Sequence, residues 1–141
     1  MTCLRDSFNR PINYLRISVT DRCNFRCVYC MPAEGVTPCS HTDVLTYEEI
    51  VLVARAAAEV GVSKIRLTGG EPLVRAGLVE LVRMLASIPG IDDLALSTNG
   101  ALLAIYARPL KDAGLRRINV SLDTMRPERF RELTRTDKLA D

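Results

Sequence analysis

Tyr14-Leu15-Arg16-Ile17-Ser18-Val19 runs straight into Thr20-Asp21-Arg22-Cys23-Asn24-Phe25-Arg26-Cys27-Val28-Tyr29-Cys30-Met31-Pro32. The first run alternates, with Leu15, Ile17 and Val19 on one face and Arg16 and Ser18 on the other, which is the period of a strand. The second run is a loop with three cysteines on eight residues. Three thiolates so spaced can hold three irons of a cubane cluster, for which cysteine is the usual ligand. The fourth iron then has no local protein ligand, and an open coordination position marks a reactive metal rather than a structural one. Tyr29, between two of the cysteines, is forced near such a cluster. The same thiols admit a zinc site with His41, the chain's one histidine, as fourth ligand, although structural zinc usually takes a second Cys or His pair downstream.

Beyond the loop, helix and strand alternate. Glu34 to Asp43 reads as irregular, being rich in Gly, Pro, Ser and Asp. Thr46-Tyr47-Glu48-Glu49 is a capping box that opens a helix to about Val60, with Ile50, Val53, Ala54, Ala57 and Ala58 as its apolar stripe and Gly61 as its stop. Lys64 to Thr68 is a second strand, and Gly77 to Ile88 a helix with Leu78, Leu81, Val82 and Leu85 facing inward. Leu94 to Thr98 is a third strand. Leu102 to Ala113 is a helix that Pro109 should end or restart. Arg117 to Leu122 is a fourth strand, and Pro127 to Leu133 starts another helix. Four βα units in series imply a parallel sheet with helical crossovers. In barrels of this kind chemistry gathers at the C-terminal ends of the strands. The unusual motifs all lie there: the cysteines, Gly69-Gly70-Glu71-Pro72, Ser97-Thr98-Asn99-Gly100 and Ser121-Leu122-Asp123.

The 141 residues are one domain's worth and, at 48% hydrophobic, can bury a core. Lys+Arg 19 against Asp+Glu 17 lacks the basic excess of a general nucleic-acid binder. The mixed charges of Arg116 to Lys138 read as a solvated surface. No apolar run approaches the ~20 residues of a membrane span, and Met1 to Asp6 has no apolar core of a secretory signal. The expectation is a cytoplasmic protein with no nucleic-acid or membrane partner. Clustered cysteines in a reducing compartment point to metal or catalysis. Cys3 and Cys39, outside the cluster spacing, read as bystander thiols.

Gly69 and Gly70, lacking Cβ, let backbone groups approach a small polar ligand closely. Their carbonyls and the Glu71 carboxylate could hold an ammonium group. Arg16 and Arg66 point away from their strands' apolar neighbours. If that face is a barrel interior, a partner is required, and arginine suits phosphate by bidentate contact. A salt bridge to a helix on an outer face is the plainer alternative.

These motifs, in this order over Tyr14 to Leu133, resemble the radical S-adenosylmethionine superfamily and, within it, the GTP 3′,8-cyclases of molybdenum cofactor biosynthesis. The resemblance implies a [4Fe–4S] cluster on Cys23, Cys27 and Cys30 that chelates S-adenosylmethionine by its amino and carboxylate groups. It implies that one electron from a low-potential donor cleaves the sulfonium and frees a 5′-deoxyadenosyl radical. In the cyclases this radical removes the ribose 3′ hydrogen of GTP, and the carbon radical attacks guanine C8. Tyr29, Gly70 and Ser121, with Gly69 and Glu71 of the same motif, are implied as S-adenosylmethionine contacts. Arg16, Arg66 and Ser97 are implied as contacts to the substrate GTP. No protein residue is assigned as catalytic.

The expected fold is α/β, a partial (β/α) barrel of the radical SAM type with about four units on a parallel sheet, since a complete barrel needs roughly 250 residues. Residues 1–141 are then the N-terminal part of a core domain. Its last strands, a second three-cysteine [4Fe–4S] cluster that binds GTP and a Gly-Gly tail belong to the absent part, and a homodimer to the full-length protein. The fourth strand becomes an open edge, prone to association. The piece alone is expected to be marginally stable and unable to complete the GTP reaction. The stretch Gly35 to Asp43 looks atypical beside the family. Two other readings are another radical SAM enzyme, for instance a peptide-modifying one, and a non-catalytic metal-binding module.

Overall fold

A computed structural model describes residues 4–139, apart from the side chain of His41. The bystander reading of Cys3 and both readings of the His41 side chain lie outside the described residues. Four strands, β1 (Tyr14–Ser18), β2 (Lys64–Thr68), β3 (Asp93–Thr98) and β4 (Arg117–Val120), form one sheet in the order β1-β2-β3-β4. Every neighbouring pair is parallel. Helices α1 (Tyr47–Glu59), α2 (Leu78–Ala86) and α3 (Leu103–Asp112) cross between successive strands, and α4 (Pro127–Thr134) follows the last. This is an arc of a (β/α) barrel.

Local chemistry accounts for most of these elements. The Thr46 hydroxyl accepts the Glu49 N–H and the Glu49 carboxylate accepts the Thr46 N–H, so the capping box closes in both directions. All four apolar positions expected on α2 are buried. On α1, Ile50 and Ala54 are buried as expected, but Val53 is 48% exposed and Val51 takes its place inside. At about 100° per residue the buried arc centres near Ala54, which puts Val51 closer to its middle than Val53. Pro109 neither ends nor restarts α3 but sits inside it. It removes one N–H, and the carbonyl left without that donor belongs to Ile105, on the exposed side of the helix. β4 stops at Val120, two residues short of the expected end.

Alternation sorts the sheet into two faces. Ile65, Leu67, Leu94 and Leu96 are buried beneath the helices, against Ile50, Leu81, Leu85 and Leu110. The opposite face carries Arg16, Arg66, Ala95 and Arg117 as one row of register partners, with Ser97 and Asn119 in the next row. The polar face is therefore the interior of the arc, and both expected arginines lie on it. Arg117 is held by Asp93 on the same face. No helix among the described residues is long and apolar enough to cross a membrane.

The charged stretch from Arg116 is more than a solvated surface. Phe130 and Thr134, four residues apart on α4, are buried. The helix docks by this narrow stripe while its charges, such as the Arg129–Glu132 pair, stay outside.

Chemical denaturation checks two of these features. Thr46→Ala should lose about 1 kcal/mol of stability with the cap. Gly114→Ala should lose about 1–3 kcal/mol, since φ there is +106° and an added Cβ would stand 2.6 Å from the Ala86 Cβ.

Candidate metal and cofactor centre

The cysteine loop has no regular structure of its own and is held from two sides. On one side the β1–β2 ladder continues past the strands. The Val19 N–H donates to the Thr68 carbonyl (2.9 Å), Gly70 N–H to Thr20 (2.8 Å) and Glu71 N–H to Arg22 (2.8 Å). This approach requires glycine twice. A Cβ on Gly69, where φ is +151°, would lie 2.4 Å from the Thr20 carbonyl oxygen, and one on Gly70 2.4 Å from that of Arg22. The space freed by the missing Cβ atoms is thus filled by the loop backbone.

On the other side, α4 meets the loop with its C-terminal carbonyls. The Arg26 N–H donates to the Thr134 carbonyl (3.1 Å) and the Val28 N–H to Leu133 (2.9 Å). Phe25 and Phe130 pack edge to face beneath, with centroids 5.8 Å apart. Arg135 Nη1 donates to the carbonyls of Arg26 (3.1 Å) and Met31 (3.2 Å). Arg26 Nη1 in turn donates to those of Cys23 and Phe25, both at 2.8 Å. The irregular stretch is fastened too, because the Cys39 N–H donates to Asp21 Oδ2 (2.5 Å). That bond holds the Asp21 carboxyl below its usual range, and Asp21 pushes the exposed Cys39 thiol up.

Cys23, Cys27 and Cys30 line one cleft of about 230 Å³, together with Arg16, Tyr29, Gly69, Gly70, Glu71, Ser97 and Ser121. Of the residues implied as cluster, S-adenosylmethionine or GTP contacts, Arg66 alone is not in its lining. Arg66, in the register row of Arg16, donates from Nη1 to Ser97 Oγ (3.3 Å), and its buried Nε has no hydrogen-bond partner among the described residues. Burial pushes the Cys27 thiol up, with the other two thiols adding to the effect and the Tyr29 hydroxyl opposing it. The Asp123 carboxylate accepts a 2.5 Å hydrogen bond from the Tyr29 hydroxyl and holds that proton well above the ordinary phenol range. Glu71 is 1% exposed. Its Oε1 accepts from the Leu73 N–H (3.0 Å) and the Thr98 hydroxyl (2.7 Å), and its Oε2 from the Asn99 N–H (2.7 Å). Asn99, Asp123, Phe25 and Phe130 also line the cleft. Sequence reasoning did not single them out, although Asn99 and Asp123 carried the signal of lying just past strand ends.

The radical SAM superfamily model matches residues 17–141. The chain belongs to the radical SAM superfamily. It is 64% identical over 137 residues to the GTP 3′,8-cyclase of Pelotomaculum thermopropionicum, a match covering 97% of this chain and 42% of that protein. It is 53% identical to that of Alkaliphilus metalliredigens, with 97% and 43% covered. With that of Acidothermus cellulolyticus it shares 59%, with 95% and 38% covered. The chain thus spans about two fifths of the length of these relatives. The solved structure of BtrN in complex with AdoMet and 2-DOIA superposes with a TM-score of 0.59 at 20% identity, covering 85% of this chain and 46% of that one. That likeness shows the shared fold.

Membership implies a [4Fe–4S] cluster and S-adenosylmethionine, and the donor set fits. Three thiols on one doubly anchored loop face one cleft, and the Phe25 N–H already donates to Cys23 Sγ (3.4 Å), the kind of contact that surrounds cluster sulfurs. Among the described residues no three His, Cys, Asp or Glu side chains converge on a single ion. A cubane instead takes one thiolate on each of three separate irons.

Two measurements test this arrangement. Gly70→Ala should push the loop off β2, costing about 1–3 kcal/mol and lowering iron uptake on anaerobic reconstitution. In the iron-free protein, Cys27 should alkylate slowly at neutral pH. Its rate should go on rising above the pH at which an unperturbed thiol has levelled off, because only the thiolate reacts.

Proposed function

We propose that residues 1–141 are the N-terminal part of a radical SAM core domain in a GTP 3′,8-cyclase of molybdenum cofactor biosynthesis. This would be a cytoplasmic lyase acting on GTP with a low-potential electron donor. The observation that carries the reading is the pair of arginines on the inner face. Arg16, which lines the cysteine cleft, and Arg66 are direct register partners, Arg66 braces Ser97, and its Nε remains a buried donor without a partner among the described residues. Such a pair suits the phosphates of a nucleotide. The 64% identity to a named cyclase supports the same substrate. On this reading the rest of the protein supplies the remaining strands, a second [4Fe–4S] cluster and a homodimer contact.

In this assignment Cys23, Cys27 and Cys30 hold the cluster. The carbonyls of Gly69 and Gly70 take the ammonium group of S-adenosylmethionine, and Tyr29 and Ser121 flank the bound molecule. When bound, the cluster and S-adenosylmethionine together supply one-electron cleavage of the sulfonium and hence hydrogen abstraction from the substrate ribose. The protein's own part is positioning. Arg16, Arg66 and Ser97 orient the nucleotide, and the Phe25–Phe130 pair closes the underside of the loop to water. Tyr29 keeps its proton and serves as a neutral donor to Asp123.

In the complete protein, Arg66→Ala should raise KM for GTP about 10–100-fold, the worth of a lost charge-assisted contact of about 1.5–3 kcal/mol. Iron content and substrate-free cleavage of S-adenosylmethionine should stay near wild type. An unmoved KM for GTP would remove the arginine row from the substrate site. Cys27→Ser should abolish both cluster and cleavage.

A further inference from the structure

Glu71 is a fully buried carboxylate whose three donors among the described residues are all neutral. Two of the three come from the end of β3, the Thr98 hydroxyl and the Asn99 N–H. The GGEP turn after β2 therefore grips the residue that follows β3. What Asn99 does with its side chain is set by its neighbours. Its Oδ1 accepts the Ala101 N–H at 3.0 Å, which fixes the orientation of the amide. The NH₂ then faces the cysteine loop, with Nδ2 2.8 Å from Asn24 Oδ1 and 4.0 Å from Cys23 Sγ. One proton serves Asn24, and the other is left for the sulfur. Among the described residues Cys23 has one further N–H donor, from Phe25.

We infer that Asn99 is a positioning residue for the cluster, fastening the Cys23–Asn24 corner to the end of β3 and lending Cys23 Sγ an N–H donor that sets the cluster's reduction potential. The inference rests on the reading of Cys23, Cys27 and Cys30 as cluster ligands. A donor to a ligand sulfur draws off charge and favours the reduced, more negative cluster, so hydrogen bonds to sulfur are one of the levers on its potential. Glu71 acts at one remove, holding Asn99 in place through the backbone.

The test uses the complete protein, reconstituted anaerobically with iron and sulfide and titrated with EPR detection. The cluster of this loop is identified by a signal that changes on adding S-adenosylmethionine. Asn99→Ala should keep its iron and shift the midpoint to more negative potential, by up to about tenfold in the one-electron equilibrium, or ~59 mV. Asn24→Ala removes the competing acceptor and spares the donor, so its midpoint should stay in place or move positive. An unchanged midpoint in Asn99→Ala, or an equal negative shift in both variants, overturns the inference while leaving the functional reading intact. A wild type without the responsive signal overturns that reading and the inference with it.

Should Asn99→Ala fail to load iron, the wild type and Asn24→Ala are labelled isotopically at asparagine nitrogen and examined by pulsed electron–nuclear resonance. A nitrogen coupling to the reduced cluster that persists in Asn24→Ala supports the donor, and its absence from the wild type excludes it.

Discussion

The centre of this protein depends on two backbones passing where no side chain fits. Thr20 to Arg22 lie so close to Gly69 and Gly70 that a single Cβ on either glycine would collide with a carbonyl oxygen. Because the approach is that close, the hydrogen bonds of a parallel ladder carry on beyond the strands. A loop with no regular structure is thereby held as firmly as a strand. Everything at the cleft inherits its position from this seam. The cysteines are placed by the loop side of the seam, and Glu71, and through it the end of β3, by the side that continues β2.

Much of this was legible in the sequence, and the parts that were not have definite causes. Capping and helical period are local, so the Thr46 box and the stripe of α2 could be read directly. The clustering of motifs at strand ends followed from the alternation alone. Exchanging Val53 for Val51 needed the direction of the core, which a stripe defines only to within a residue. Pro109 inside α3 depends on which side of the helix faces water. The docking of α4 rests on two residues in a run of charges, too few to raise a hydrophobic pattern. The glycine pair was recognised as a place of close approach, but the sequence could not say that the approaching group is the cysteine loop itself.

The two faces of the sheet divide labour. The helix side is an apolar core in which Ile65, Leu67 and Leu96 have no exposure. The inner side keeps a row of arginines, one paired with Asp93 and another bracing Ser97. An unpartnered buried donor costs about 1–3 kcal/mol, and Arg66 Nε is one. Breaches of local satisfaction of this sort tend to sit where a protein does its work. The apolar face, where Ile65, Leu67 and Leu96 are fully enclosed, offsets the expense.

The clasp between α4 and the cysteine loop joins segments about a hundred positions apart in the chain, Arg26 to Thr134 and Val28 to Leu133. Translation therefore delivers the three thiols long before it delivers the helix that fixes them. The nascent loop waits, tethered on the β2 side once Gly70 has emerged, and sets only after Thr134 has cleared the ribosome. A chain halted before α4 would carry all three thiols on a loop fastened from the β2 side alone.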